Sequence, residues 1–101
     1  MNIPVVGINI CSVPKGKEEE FIRWWQGMRE TLIRGGGVGF ISGRLHRNLD
    51  ADARFNFINI AQWENDLYSA AVISSAAQLK AEVKELGVEM TPGLFAVVSE
   101  Y

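Results

Sequence analysis

The chain has 101 residues and a mass of 11.2 kDa, which suits one domain with a single hydrophobic core. With 48% hydrophobic residues and a formal net charge of −2, the composition excludes a disordered tail. The sequence has no basic stripe of the kind that binds nucleic acid. Apolar runs fall short of the ~20 residues of a membrane helix, and no signal-peptide layout opens the chain. We therefore expect a single cytoplasmic domain over residues 1–101 that binds neither nucleic acid nor membrane.

Only one cysteine and one histidine occur in the chain, Cys11 and His46. A single cysteine forms no internal disulfide, and Cys11 lies within an apolar run, which predicts a buried and unreactive thiol. One histidine and one cysteine are too few for the usual metal-ligand spacings, so no metal site is expected.

The first third of the chain predicts a strand and then a helix. Residues 3–13 are β-branched and have apolar side chains on both faces, which is typical of a strand that is central in its sheet or covered on each side. Three glutamates at 18–20 favour a helix N-terminus through the helix dipole, and the glycines at 35–37 favour its end after Arg34. Trp24 stands beside the apolar stripe of this helix. The stripe comprises Phe21, Trp25, Met28 and Leu32.

Residues 38–62 predict a β-hairpin. Side chains between 38 and 49 alternate with period 2, as in a strand with two different faces. A polar connector at 50–53 precedes a second β-branched and aromatic run at 55–62. One parity of the first strand carries Phe40, Ser42, Arg44, His46 and Asn48, and the other carries Ile41, Leu45 and Leu49.

The remaining chain predicts a helix in two pieces and a last strand. Asn65 or Asp66 would cap a short first piece that runs to Ile73. Ser75 and Gln78 match a capping box for a second piece, which Gly87 would end. The Thr-Pro-Gly sequence at 91–93 predicts a turn, and residues 94–99 predict the final strand.

The element order is strand, helix, strand, strand, helix, strand. It predicts an α+β, ferredoxin-like βαββαβ fold, with two helices on one face of a four-stranded antiparallel sheet. Several strands are apolar on both parities, so the other sheet face would expose more apolar surface than a monomer usually tolerates. We therefore predict a homodimer packed sheet to sheet, a dimeric α+β barrel.

Three short motifs stand at a spacing that resembles a known family. They are FIS at 40–42, LHR at 45–47 and NIAQWE at 59–64, and together they closely resemble the antibiotic biosynthesis monooxygenase (ABM) domain family. The resemblance implies a dimeric α+β barrel. Characterised members include cofactor-free oxygenases that convert anthrone-type phenols to quinones with O2, whereas others cleave haem and some have no known chemistry.

The same resemblance implies site residues on the third strand. Quinone-forming members carry an asparagine and a tryptophan four residues apart there, which Asn59 and Trp63 match, and alternation puts both on one face. A tryptophan can stack on a planar phenol and donate its N–H, and an amide can hold the keto or enolate oxygen. A core role for Trp63 and a backbone partner for Asn59 stay open as alternatives.

Five further residues are candidates for substrate binding: Tyr68, His46, Arg44, Trp24 and Asn9. Tyr68 stands one residue from the position of a tyrosine in quinone-forming members. His46 and Arg44 share a parity and could act as base and anion anchor, or else belong to a strand that runs out into solvent. Trp24 is either core or pocket wall.

Asn9 and Trp63 also match residues of the haem-degrading members. Those members use a histidine on the helix after the third strand, whereas the one histidine here, His46, stands on the second strand. The resemblance therefore favours a cofactor-independent monooxygenase that acts on a small aromatic molecule and O2. A non-enzymatic ligand-binding or structural dimer is the alternative, and haem degradation ranks third.

Overall fold

Four strands form one antiparallel sheet, which two helices cover on one face. The computed structural model describes residues 5–34, 39–64 and 77–101. The strand order is β2-β3-β1-β4, so β1 and β3 are central and β2 and β4 are the edges. This is the ferredoxin-like fold that the element order predicts. The elements are β1 (Val5–Ser12), α1 (Glu18–Arg34), β2 (Phe40–Arg47), β3 (Phe57–Trp63), α2 (Ala77–Glu85) and β4 (Glu89–Phe95).

Local signals set the helix ends that the structure describes. The first turn of α1 holds the three predicted acids, and the Glu18 carboxylate accepts a 2.8 Å hydrogen bond from the Gly16 N–H. After α2, Gly87 adopts a φ of +79° and its N–H donates to the Lys84 carbonyl at 3.0 Å. The predicted glycine stop of α2 is therefore confirmed.

The hydrophobic core lies between the sheet and the helices. Phe21 of α1 is fully buried, and its ring centroid lies 5.1 Å from that of Phe57 on β3. Cys11 is also fully buried, and desolvation raises the pKa of its thiol to about 11, so the predicted buried thiol is confirmed. The buried cluster comprises Cys11, Val13, Phe21, Phe57, Val83 and Val88.

The sheet therefore has a helix face, which carries Cys11 and Phe57, and an outer face of opposite parity. Every apolar side chain on the outer face of β1 and β3 keeps some exposure, and Phe95 on β4 is 52% exposed. No described helix packs on this face. Its apolar residues are Val6, Ile8, Ile10, Ile58, Ile60 and Phe95.

A bulge in β2 corrects one predicted parity. Phe40 pairs with Trp63 and Ser42 pairs with Gln62, so Ile41 is the extra residue. The extra residue turns Phe40 to the helix face, away from the parity of Ser42 on which simple alternation had placed it.

The strands of the hairpin are shorter than predicted because side chains build the connecting loop. Asn48 Oδ1 accepts the Asp50 N–H at 2.9 Å, and Asp50 Oδ1 accepts the Asp52 N–H at 3.0 Å. Such turns compete with strand pairing. Asn56 then bonds both backbone groups of Val13, donating to its carbonyl and accepting from its N–H, each at 2.8 Å.

The last strand is present as predicted, but its predicted bounds and the predicted turn before it were wrong. Thr91, Pro92 and Gly93 lie inside β4 and pair with β1, and residues 96–101 are not in regular secondary structure. Proline is tolerated in an edge strand, because the backbone N–H that proline lacks would point away from the sheet and pair with no other strand. The exposed apolar residues Val97 and Val98 thus extend beyond the sheet.

Some predictions fall outside the described residues, namely the short helix that runs from Asn65 or Asp66 to Ile73 and the Ser75 cap. The glycines at 35–37 lie outside as well. Among the helices that the structure describes, none has the length and apolar character needed to cross a bilayer.

Candidate functional site

Two asparagines meet at the centre of the helix face. Asn9 on β1 and Asn59 on β3 are direct partners in the antiparallel register, two residues from the buried Cys11–Phe57 pair. Pro92 flanks Asn9 on one side and Leu45 flanks Asn59 on the other. The two amides therefore share a row that carries no charged side chain.

Both amides keep polar atoms without protein partners. Asn9 Oδ1 is buried and accepts no hydrogen bond from the described residues. The Asn59 side chain is half-buried and takes part in none of the side-chain hydrogen bonds of the described chain. Buried amides are normally satisfied, so this row offers amide atoms that the described part of the chain does not bond.

Trp63 lies on the same face of β3 as Asn59, as alternation predicts. It is 5% exposed, and its ring meets that of Phe40 nearly edge-on at 5.2 Å. Trp63 therefore does have the core role that the sequence left open as an alternative. A Cβ built on Gly7 would lie 3.4 Å from Trp63 Nε1, so the indole N–H packs directly over this glycine.

Small residues separate the tryptophan from the asparagines. Gly7, Ala61 and Gly43 are register partners across β1, β3 and β2, in the row between Trp63 and Asn59. The Cα atoms of Asn59 and Trp63 are about 13 Å apart along the strand, at 3.3 Å per residue. This row of small residues is where the Trp63 indole and the Phe40 ring pack on the sheet, over Gly7 and Gly43 respectively. The helix face thus carries an indole at one end and two amides at the other.

Trp24 approaches this face from α1. Its ring stacks on Phe21 with centroids 6.0 Å apart, and its neighbour Trp25 packs on the same phenylalanine at 6.1 Å. Trp24 Nε1 is buried and has no hydrogen-bond partner among the described residues. Trp24 therefore packs in the core, and its indole N–H is a hydrogen-bond donor without a partner among the described residues.

The other sequence candidates do not join this group. His46 and Arg44 pair with Ile58 and Ile60, so both lie on the outer face, and both are exposed. They share a face as predicted, but the sheet separates them from Asn59 and Trp63. Tyr68 lies outside the described residues. Within the described part of the chain, no three His, Cys, Asp or Glu side chains group as metal ligands.

Sequence reasoning missed Gly7 and the direct opposition of Asn9 and Asn59. A glycine inside a strand is a known signal for close approach of another group. The opposition depends on the register of two strands about fifty residues apart, which alternation alone does not give.

Comparison with known proteins gives matches among solved structures only, since no protein-family model and no curated protein matches. A proposed monooxygenase from Shewanella loihica PV-4 is 28% identical, with a TM-score of 0.83 and coverage of 99% of both chains. SnoaB, a cofactor-independent oxygenase from Streptomyces nogalater, is 20% identical, with a TM-score of 0.75 over 97% of this chain and 96% of that one.

A proposed antibiotic biosynthesis monooxygenase from Nitrosomonas europaea is 18% identical, with a TM-score of 0.77 over 97% of this chain and 93% of that one. Each of these three structures aligns with at least 97% of this chain. The structural neighbours of this chain are thus ABM-like monooxygenases of ferredoxin-like fold, which confirms the resemblance that its motifs indicate.

Proposed function

We propose that this protein is a cofactor-independent monooxygenase that oxidises a planar, anthrone-type phenol to a quinone with O2. The observation that carries the proposal is the helix-face row of Asn9 and Asn59, with amide atoms that have no partner among the described residues, on the same face as Trp63. The similarity to a cofactor-independent oxygenase supports the reaction class.

The reaction needs no external reductant. Loss of a proton from the CH2 carbon of the anthrone gives an enolate, which passes electrons to O2 and forms a C–O bond at that carbon. One oxygen atom becomes the new carbonyl, and the other leaves as water with the two hydrogens of the CH2 group. The substrate supplies all the electrons, so we propose that no cofactor takes part.

The Asn59 amide can donate its N–H to the enolate oxygen as negative charge develops there. A neutral donor placed in advance in a water-poor site stabilises such charge more than bulk water does. Trp63, whose indole packs over Gly7, would bound the far end of the ring system. The row itself supplies no charged base, so proton removal depends on the acidity of the bound substrate.

The assembly proposed for this activity is a homodimer through the outer face. Six apolar side chains on that face keep solvent exposure in the single chain, and Val97 and Val98 continue the apolar surface beyond β4. Exposed apolar patches of this kind mark association surfaces. The free, buried thiol of Cys11 suits the reducing cytoplasm, which is the proposed location.

The packing of Trp63 favours a second candidate, a small-ligand-binding or structural dimer without oxygen chemistry. A tryptophan that is 5% exposed and packed edge-on against Phe40 is well used by the core alone. Haem degradation lacks support from the chain's histidine, because His46 lies on the outer face, across the sheet from Asn9 and Trp63.

The test is oxygen consumption by the purified protein with dithranol, a hydroxyanthrone. We expect one O2 consumed per quinone formed, with one atom of labelled O2 in the new carbonyl. Trp63→Phe keeps an aromatic ring but lacks the N–H, and we expect slower turnover. Absence of oxygen uptake together with binding of the quinone product would favour the second candidate.

A further inference from the structure

The described part of the chain has two buried side-chain polar atoms without a hydrogen-bond partner, Trp24 Nε1 and Asn9 Oδ1. One is an obligate donor and the other an obligate acceptor. They come from different elements, α1 and β1, and they are not bonded to each other. Most buried polar side-chain atoms in folded proteins have a partner, so each exception calls for an explanation.

Trp24 and Asn9 lie on the same side of the sheet, since Trp24 packs against the core cluster and Asn9 shares the face of Cys11. Phe21 packs on Phe57, which is the register partner of Cys11, and α1 returns over the sheet from that end of β1. Three residues along a helix advance about 4.5 Å, and two residues along a strand about 6.6 Å. Trp24 on α1 therefore stands near the row of Asn9.

We propose that the Trp24 indole N–H and Asn9 Oδ1 recognise, respectively, one carbonyl and one hydroxyl group of a planar aromatic ligand. This inference rests on the proposed function, because it places the ligand in the same helix-face site. It adds the requirement that the substrate carries a hydrogen-bond acceptor and a donor. It also makes Trp24, which is core by its stacking on Phe21, a residue that determines specificity.

Binding of two quinones, measured by calorimetry in the absence of turnover, tests the Trp24 contact and the Asn9 contact separately. Anthraquinone offers carbonyl groups only, whereas 2,6-dihydroxyanthraquinone adds hydroxyl groups that are not bonded to its own carbonyls. We expect wild-type protein to bind the dihydroxy compound about tenfold more tightly, since one extra hydrogen bond in a buried site has that effect.

Trp24→Phe keeps the ring stack and removes the donor, so it should weaken both quinones by about tenfold. Asn9→Leu removes the acceptor, so it should weaken the dihydroxy compound alone, to the level of anthraquinone. Trp25→Phe is the matched control, because Trp25 packs on the same Phe21 and its N–H is not among the unsatisfied buried atoms. It should bind both quinones as wild type does.

Wild-type affinity for both quinones in Trp24→Phe would overturn the proposal, as would a wild-type protein that binds neither quinone or shows no preference for the hydroxyl groups. If Trp24→Phe does not fold in a thermal melt, the comparison of Asn9→Leu with wild type decides. Dithranol turnover without hydroxyl selectivity would overturn this inference and leave the oxygenase proposal intact. Selectivity without turnover would do the reverse.

Discussion

Asn9 and Asn59 face each other directly across the two central strands, with a proline and a leucine as their outer neighbours in the row. Two neutral amides at the centre of a helix-covered sheet face are unusual, because an apolar pair would fill that place without any need for hydrogen bonds. The role proposed for the pair is to stabilise charge on a ligand oxygen without carrying charge itself.

Replacing Asn59 by alanine removes the proposed donor to the enolate oxygen. We expect kcat for dithranol oxidation to fall by roughly 100-fold, the usual effect of losing one oxyanion-type donor, with a smaller change in KM. Gln62→Ala is the control, because Gln62 is an exposed amide on the outer face of the same strand. Equal rates in both variants would contradict the role of Asn59.

Adding a methyl group at Gly7 should separate stability from activity. A Cβ there meets Trp63 Nε1 at 3.4 Å and Leu94 Cδ2 at 3.8 Å, and Gly7 has no positive φ, so alanine fits. We expect Gly7→Ala to raise the free energy of unfolding by about 0.5 kcal/mol, because alanine lowers the conformational entropy of the unfolded chain. It should lower kcat/KM by about tenfold, because the methyl group displaces a ligand beside the indole.

The control for this variant is Gly27→Ala on α1, where a Cβ would meet no atom within 4 Å. It should also stabilise the protein, because alanine favours a helix more than glycine does, and it should leave the oxidation rate unchanged. Full activity in Gly7→Ala would show that the space beside Trp63 is not used by the substrate.

Asn56 should be important for stability although it lies far from the site. Its amide bonds both the N–H and the carbonyl of Val13 at 2.8 Å, which joins the end of β1 to the start of β3. We expect Asn56→Ala to lower the free energy of unfolding by about 2 kcal/mol in urea denaturation, since two partly buried backbone groups lose their partner. Asn48→Ala, in the exposed part of the same loop, should lower it by less.

The Cys11 thiol should make stability fall at alkaline pH. Burial raises its pKa in the folded state from 9.0 to about 11, so the thiol is neutral in both states below pH 9 and its contribution is complete there. Between pH 9 and 11 the unfolded state loses the proton first, and stability declines by at most about 3 kcal/mol. The stability difference between wild type and Cys11→Ala, measured by denaturation, should shrink over this range. A constant difference would indicate an accessible thiol.

A charged side chain introduced on the outer face should dissociate the proposed dimer into monomers. Ile60 lies between Ile8 and Arg44 in the register, so lysine at this position would place a second cation beside Arg44 in an apolar interface. We expect Ile60→Lys to sediment as a monomer at micromolar concentration, whereas wild type and Ile60→Val sediment as dimers. A wild-type monomer at every concentration would contradict the dimer.

The sequence predicted best what depends on near neighbours. The acids of α1, the stop at Gly87 and the alternation that joins Asn59 to Trp63 all act within one turn or one strand. It failed where the answer depends on position in the sheet. Pro92 indicates a turn by its local sequence, and its place inside β4 follows only from β4 being an edge strand. Phe40 lies on the other face because of a bulge that no local sequence pattern indicates. The unsatisfied Trp24 N–H likewise follows from packing of distant elements.

Both edges of the sheet carry an interruption, and this limits how copies of the chain can assemble. The bulge distorts β2 at one edge, and Pro92 removes a backbone donor from β4 at the other. A newly arriving strand therefore finds a poor template on either side, which disfavours open-ended fibre growth. In the proposed dimer two copies would cover each other through the outer face and leave no room there for a third. The irregular edges therefore favour a closed pair over an open chain of copies.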